Sequence, residues 1–265
     1  MASKLILVLC PLLMLQLISF NACGLRTEVK RADVLKEGRG KIMCLQETKW
    51  DEGLVEKVQK EWKGGIYTSN GTGTARGVAI LVPEQLKETV KLIYKEKAGR
   101  IIIIDFQHNN ENYRLINIHC PNIEGERKDF VRGLNKWVTN KTNCLIVGDF
   151  NICLTRLDSA KNNTYKNDTS RTELNKLMER NNLIDIWRNL NPFKLQYSRQ
   201  QVVEGKLKQT RIDLCLTSPE ITKTVSGVRC PTRAVCVIEA RVMNHVLNEV
   251  SKLQQSLNQP TLNLA

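Results

Sequence analysis

Short runs of apolar residues recur along the chain, and each run is closed by polar side chains. The runs occupy residues 17–21, 41–48, 114–122, 144–151 and 210–216. An apolar run of this length between polar residues predicts a buried strand. Polar groups at the ends of several strands meet only if the strands share one edge of a sheet. The pattern therefore predicts a cluster of polar side chains typical of an active site rather than of a core.

Between these runs, the spacing of apolar residues changes from that of strands to that of helices. Helices are predicted at residues 26–39, 129–138 and 172–181. Paired strands are predicted at residues 101–106 and 113–119, joined by a polar turn at residues 109–112. Strands that alternate with helices in this way fit two packed sheets flanked by helices.

Two further polar segments are predicted to lack regular structure. Residues 64–77 are rich in Gly and Thr but lack the Gly-Lys-Ser/Thr ending of a phosphate-binding loop, so we interpret them as a turn. Residues 159–171 are rich in Lys and Asn and are predicted to form a surface loop. Contact with DNA and simple solvation both remain open for this loop.

The segment Gly148-Asp149-Phe150-Asn151 carries the most specific candidate chemistry. Asp149 and Asn151 lie two residues apart, so an extended chain would direct both side chains to the same side. An Asp that orients water and an Asn that holds a phosphate oxygen suit hydrolytic attack on a phosphodiester. The alternative is a strand followed by a polar turn without a catalytic role.

Six short motifs occur in a fixed order along the chain. They are FNACGLR (20–26), LQET (45–48), GVAILV (77–82), NIHCPN (117–122), GDFN (148–151) and RID (211–213). This series resembles the endonuclease/exonuclease/phosphatase superfamily over residues 17–242, and within it the exonuclease III-like apurinic endonucleases and the endonuclease domains of LINE-type retrotransposons. The resemblance implies a mixed α/β (α+β) fold, a four-layer α/β/β/α sandwich of two packed mixed sheets. It also implies a divalent cation, Mg²⁺ or Mn²⁺, as cofactor.

The resemblance also implies a role for each residue that matches a motif. Glu47 would be the main metal ligand, and Asn21 would brace the metal shell. Asp149 would orient or deprotonate the attacking water, while Asn151 would hold a phosphate oxygen. Asp213 would buttress a catalytic histidine.

The chain departs from the family pattern where that histidine is expected. The family closes with Ser-Asp-His, but this chain has Thr232 and Arg233 at the last two positions. Thr supplies no carboxylate charge, and an Arg with a pKa above about 12 cannot exchange protons near neutral pH. The loss of a general acid or base typically costs ~10² to 10⁴ in rate. We therefore expect impaired catalysis, with Arg233 pairing with Asp213 and binding phosphate.

Two other positions near these motifs are candidates. His119 replaces a Tyr that is usual in the family, so it is either a substitute for the missing imidazole or a tolerated change. Ser198 is predicted to contact phosphate or DNA.

The net charge indicates the class of partner, and the cysteines indicate the redox compartment. With 265 residues of which 42% are hydrophobic, the chain can bury one sizeable core. The net charge of +13 and the sequence pI of about 9.4 indicate a polyanionic partner, which we take to be DNA; solubilising lysines without a partner are the alternative. The nine cysteines include no CxxC pair, which favours a reducing compartment. We expect an intracellular, nuclear location and a monomeric protein.

The two ends of the chain lie outside the family likeness. Residues 1–16 form an apolar extension in which Lys4 precedes an apolar run, as in a signal peptide or anchor. Residues 243–265 are predicted to form a helix and tail. Three functions remain open: a metal-dependent DNA endonuclease with impaired catalysis, a catalytically inactive relative that binds DNA through its basic surface, and a secreted nuclease or phospholipid phosphodiesterase.

Overall fold

A computed structural model describes residues 15–72, 74–138, 143–161, 163, 165–222, 225–229 and 235–240, the side chains of 226–229 and 235–240 excepted. Its strands are β1 Leu15–Asn21, β2 Ile42–Gln46, β3 Gly65–Ser69, β4 Val78–Val82, β5 Lys91–Lys95, β6 Ile101–His108, β7 Glu111–His119, β8 Asn143–Asp149, β9 Ile184–Asp185, β10 Arg199–Val203, β11 Lys206–Thr210, β12 Asp213–Thr217, β13 Val225–Arg229 and β14 Val235–Ala240. Its α-helices are α1 Glu28–Glu37, α2 Glu52–Glu61, α3 Glu124–Leu134, α4 Thr169–Arg180, α5 Ile186–Leu190 and α6 Pro219–Thr222. Short 3-10 helices cover Glu84–Thr89 and Arg156–Asp158.

The strands form two six-stranded mixed sheets and a separate hairpin. The first sheet has the order β13-β14-β1-β2-β4-β3, and the second has the order β5-β6-β7-β8-β12-β9. In the first, β1 and β2 are parallel, with Asn21 opposite Gln46. In the second, β7 and β8 are parallel, and His119 lies opposite Asp149. Strand β12 runs antiparallel to β8 and places Asp213 beside Asp149.

Three apolar clusters show that the layers are helix, sheet, sheet and helix. One cluster lies between the sheets and contains Ile42 and Ile80 from the first sheet and Ile102 from the second. A second packs the outer face of the second sheet against α3 and α4. A third packs the outer face of the first sheet against α1 and α2. The predicted four-layer sandwich is therefore confirmed.

Both faces of the central strands are buried, which explains why their sequences are continuous apolar runs. In β2, Ile42 and Cys44 face the other sheet, while Met43 and Leu45 face the helices. A strand covered on both faces has no solvent-exposed side, so alternation between polar and apolar residues disappears. The five runs at 17–21, 41–48, 114–122, 144–151 and 210–216 all contain strands, as predicted.

Several predicted boundaries shift, and one prediction is wrong. The helix predicted at 129–138 begins earlier and spans Glu124–Leu134. The segment 64–77 is not only a turn, because it contains β3, an edge strand whose middle residues are half-buried. Helix α2 and the polar hairpin β10–β11 were not predicted. No helix in the described part of the chain is long and apolar enough to cross a membrane.

Candidate active site

The polar ends of strands from both sheets meet at one edge of the sandwich. Asn21 ends β1, Glu47 directly follows β2, and Asp149 ends β8. Asn21 Nδ2 donates to Glu47 Oε1 at 3.0 Å and to Asp149 Oδ2 at 2.9 Å. Because Asp149 belongs to the second sheet, this amide joins carboxylates that the two sheets supply.

His119 ends β7 and lies against the same carboxylates. Its Nε2 is 3.7 Å from Glu47 Oε1, and only 7% of the residue is exposed. Its Nδ1 is buried and has no hydrogen-bond partner within the described part of the chain. The imidazole therefore faces the cleft that is lined by the Glu47 and Asp149 carboxylates, as the position of His119 at the end of β7 predicts.

Burial controls the protonation of these groups. Burial raises the pKa of Asp149, although His119 and the Asn21 amide oppose that rise. Burial lowers the pKa of His119, despite the nearby Asp149 and Glu47 carboxylates. Neighbouring titratable groups whose environments push their proton affinities in opposite directions are characteristic of acid–base sites.

Asp213 is a second buried acid at this edge and lies opposite Asp149. Burial and the neighbouring Asp149 raise the pKa of Asp213 to about 7. Its Oδ1 has no hydrogen-bond partner among the residues that the structure describes. Ser198 lies beneath it, and the Ser198 hydroxyl accepts from the backbone N–H groups of Ile212 (3.1 Å) and Asp213 (3.2 Å). Ser198 thus holds the start of β12, and its contact with phosphate or DNA stays a prediction.

The turn after β8 differs from the predicted extended chain. The strand ends at Asp149, and Asn151 has a left-handed φ of +51°. The Asn151 N–H donates to Asp149 Oδ1 at 2.9 Å, and its Nδ2 donates to the Cys120 carbonyl at 2.9 Å. Gly148 is required before this turn, because at φ +133° a Cβ would lie 2.0 Å from the Ile118 oxygen. The two polar side chains therefore meet through a tight turn and not through strand alternation.

The segment that presents Glu47 has a strained backbone, and two arginine side chains lie near the site. Glu47 has a φ of +51°, a conformation that costs energy for a non-glycine residue and is common at functional sites. Arg100 Nη1 donates to the His119 carbonyl at 3.3 Å. The positive charges of Arg100 and Arg76 also help to lower the pKa of His119. These arginines were not identified from the sequence, because they lie in turns outside the recognised motifs.

A buried ion-pair network supports the strand that carries Asp213. Arg211 Nε donates to Asp158 Oδ1 at 2.7 Å, and its Nη2 donates to Asp185 Oδ2 at 2.5 Å. Arg188 Nη2 adds a bond to Asp158 Oδ1 at 2.5 Å. The guanidinium groups of Arg188 and Arg211 each lie 4.8 Å from the Trp187 ring. This network fixes the residues just before Asp213.

The donor set at the sheet edge fits a hard divalent cation. Mg²⁺ is usually held by one or two carboxylates, with water and substrate phosphate completing its shell. Glu47 and Asp149 supply carboxylates that a single Asn21 amide connects. Within the described residues, no group of three or more His, Cys, Asp or Glu side chains is arranged so that it could hold a metal ion by itself. Glu47 and Asp149 would therefore hold a cation together with water and substrate phosphate.

The substituted positions Thr232 and Arg233 lie outside the described residues. The predicted pair between Arg233 and Asp213 and the phosphate-binding role of Arg233 thus stay predictions. The predicted helix after residue 241 lies outside them as well.

Comparisons with known proteins agree with this architecture. The chain is 28% identical over 205 residues to the transposon TX1 uncharacterized 149 kDa protein of Xenopus laevis, covering 75% of this chain but only 16% of that protein. It is 25% identical over 201 residues to an exodeoxyribonuclease of Bacillus subtilis, covering 67% of this chain and 76% of the relative. The crystal structure of the AP endonuclease LMAP from Leishmania major has the same fold, with a TM-score of 0.70, 17% identity and coverage of 87% and 88%.

The family assignment rests on the greater part of the chain. A model of the Endonuclease/Exonuclease/phosphatase family matches residues 18–235, which include every strand end at the candidate site. The sandwich, the order of the motifs and the cluster at the sheet edge are consistent with that match. The chain belongs to the endonuclease/exonuclease/phosphatase family.

Proposed function

We propose that this protein is a Mg²⁺-dependent phosphodiesterase that nicks DNA. The observation that carries the proposal is the Asn21 amide, which bonds at once to Glu47 from the first sheet and to Asp149 from the second. A carboxylate on each side of one cleft can serve a cation and an attacking water at the same scissile phosphate. A packing role alone would not require two incompletely neutralised carboxylates at that edge.

Each residue of the cluster has a distinct proposed task. Glu47 would hold the cation, with Asn21 keeping the carboxylate in place. Mg²⁺, when bound, would neutralise charge on the scissile phosphate and the leaving oxygen. Asp149 would orient and deprotonate the attacking water, and its raised pKa makes it a stronger base. Asn151 would hold a non-bridging phosphate oxygen.

DNA is the substrate that the charge and the relatives favour. The net charge of +13 supplies the electrostatic attraction that binds phosphates regardless of sequence. The relative from Bacillus subtilis is named an exodeoxyribonuclease, and the Xenopus laevis relative is a transposon protein. These features support DNA over a phospholipid, and the chain would act as a monomer.

A second candidate function is DNA binding without catalysis. The observation that favours it is the replacement of the expected Asp-His pair by Thr232 and Arg233, which removes the usual proton carrier. His119 would decide between the two functions if it takes over the task of that missing imidazole. Under that hypothesis, His119→Phe changes the pH–rate profile of cleavage; a profile of unchanged shape would exclude it.

Nicking of supercoiled plasmid and of an abasic-site duplex, with and without Mg²⁺, tests the proposal. The parent is compared with Asp149→Ala and with the restored pair Thr232→Asp/Arg233→His. Nicking by the parent that requires Mg²⁺ and disappears in Asp149→Ala supports the enzyme. Nicking by the restored variant alone shows that the parent has lost catalysis and favours the DNA-binding candidate. Absence of cleavage in every variant contradicts the proposed chemistry of the cluster.

A further inference from the structure

Three buried polar side chains connect the two sheets directly behind the candidate site. Asn117 Oδ1 accepts from Gln46 Nε2 at 2.7 Å, and Asn117 Nδ2 donates to the carbonyl groups of Leu45 (3.0 Å) and Ala79 (2.9 Å). Gln46 Nε2 also donates to Ser19 Oγ at 3.1 Å. Asn117 belongs to the second sheet and the other residues to the first. We name Ser19, Gln46 and Asn117 the polar bridge.

The polar bridge lies where the surroundings favour apolar residues. Asn117 and Gln46 are fully buried and Ser19 is 2% exposed. Their strand neighbours Cys44, Leu115 and Val147 belong to the apolar cluster between the sheets. A buried polar group without its partners costs about 1–3 kcal/mol, whereas apolar residues in the same place carry no such risk. The bridge therefore contributes directional contacts that simple packing would not supply.

Each member of the bridge is close in sequence to a residue of the site. The neighbours are Ser19 and Asn21, Gln46 and Glu47, and Asn117 and His119. Asn117 also lies opposite Val147, two residues before Asp149. Ser19 and Asn117 each lie two residues before a site residue, on the same face of its strand, and Gln46 directly precedes Glu47. The bridge therefore joins the two sheets one or two residues from the strand ends that carry the candidate site.

We propose that Asn117, acting with Gln46, is a positioning residue that fixes the separation of Glu47 and Asp149 across the cleft. This inference rests on the proposed function, because the separation matters only if both carboxylates act on one phosphate. A displacement of about 1 Å at a reacting centre can cost about 10²-fold in rate. Bonds of fixed direction between the sheets hold this distance better than apolar contacts, which tolerate sliding.

Two variants separate positioning from stability. Asn117→Leu alone removes the acceptor that the Gln46 amide has on the second sheet, so we expect it to lower the melting temperature. The double variant Asn117→Leu/Gln46→Met replaces both amides by apolar groups of similar size, so neither amide is left unpaired, although the Leu45 and Ala79 carbonyl groups lose the Asn117 donor. We expect the double variant to recover much of the melting temperature. Its kcat for plasmid nicking should still fall by about 10- to 100-fold, with KM for DNA unchanged.

The matched control is a partly buried ion pair between the two helices that cover the outer face of the first sheet. Arg31 on α1 is 3% exposed and pairs with Glu61 on α2 at 2.9 Å. Arg31→Met should lower the melting temperature but leave kcat unchanged. If the double variant regains stability and keeps kcat within about twofold of the parent, the positioning role is excluded. Should the double variant not fold, Ser19→Ala removes a single bond and is expected to lower kcat by about two- to fivefold.

Amide hydrogen exchange in the metal-free protein tests the role of the polar bridge without measuring DNA cleavage. Faster exchange at Thr48, Cys120 and Phe150 in the double variant, but not in Arg31→Met, supports the bridge even if the parent proves inactive. Unchanged exchange at these amides overturns it. A parent that does not cleave DNA, by contrast, counts against the proposed function alone.

Discussion

In two regions of the molecule, carboxylates are buried close together. The two regions differ in whether arginines pair with these carboxylates. Asp158 and Asp185 share the guanidinium groups of Arg188 and Arg211. Although burial alone would raise it, the pKa of Asp158 is lowered by Arg211 and Arg188. At the sheet edge, Asp149 and Asp213 lie opposite each other without such a partner within the described residues.

The consequence is a difference in protonation that separates structural acids from candidate catalytic ones. Burial and the Asp149 charge raise the pKa of Asp213 to about 7, and burial also raises the pKa of Asp149. Acids that are kept charged by arginines hold a structure together, but they are poor at exchanging protons or binding a cation. Acids that do not form an ion pair with an arginine are available for both tasks. Burial of an acid does not by itself indicate a catalytic role. The presence or absence of an arginine partner distinguishes the two kinds of buried acid.

The largest expected effect comes from removing a charge at the uncompensated edge. Asp149→Asn should lower the rate of Mg²⁺-dependent nicking by ~10² to 10⁴, because the water loses its base. The metal-free melting temperature should change little, because the loss of a buried charge offsets the replacement of one accepting carboxylate oxygen, bonded to Asn21 or to the Asn151 N–H, by an amide donor. Parallel nicking and thermal unfolding measurements check both results. A large fall in stability would show that Asp149 is a structural acid like Asp158.

Breaking the compensated region should give the opposite pattern. Arg211→Met leaves Asp158 and Asp185 buried with too little positive charge, and such a break typically costs about 3–5 kcal/mol in the free energy of unfolding. Urea titration measures this loss. The triple variant Arg211→Met/Asp158→Asn/Asp185→Asn should recover part of it, because the uncompensated charges are gone. Equal losses in both variants would mean that packing around Trp187, not charge, stabilises the region.

The change in the free energy of unfolding with pH tests whether Asp213 is an acid buried at the sheet edge. The raised pKa of Asp213, about 7 against about 3.9 in an unfolded chain, means that the folded state binds more protons between those values. The free energy of unfolding should therefore decrease as pH rises from about 4 to 7. The lowered pKa of His119 acts in the opposite direction below about pH 6.5, so the parent must be compared with Asp213→Asn. Identical pH profiles of the two proteins would contradict burial of an ionisable Asp213.

The smallest effect is expected where charges are exposed. Arg132 pairs with Asp129 at 3.1 Å and with Glu173 at 3.6 Å, and its own side chain is 55% exposed. Arg132→Met should change the free energy of unfolding by less than about 1 kcal/mol, because water screens such pairs. Urea titration beside Arg211→Met makes the comparison. A loss comparable to that of Arg211→Met would show that burial does not explain the difference.

The central strands could be predicted from sequence because their apolar runs are covered on both faces. The hairpin β10–β11 was missed because the side chains of β10 are all exposed and those of β11 are exposed or half-buried. Its turn at Glu204 and Gly205, both at positive φ, was the one local signal available. Strand β3 was missed because Gly and Thr around it resemble a turn.

The candidate site was predictable only in part. The motif order identified Asn21, Glu47 and Asp149, and their strand positions predicted that they meet. The turn at Asn151 depends on a left-handed backbone that a strand pattern does not reveal. The contact of Asn117 with Gln46 spans 71 residues and two sheets, so no local pattern could indicate it.

The most direct test of the central claim is whether a divalent cation binds between Glu47 and Asp149. Mn²⁺ titrated into ¹⁵N-labelled protein should broaden the amide signals of Ala22, Thr48 and Phe150 first, and excess Mg²⁺ should restore them. In Glu47→Gln, the same broadening should require a much higher Mn²⁺ concentration. Broadening centred elsewhere, or unchanged by Glu47→Gln, would contradict a cation site at the sheet edge and with it the proposed chemistry.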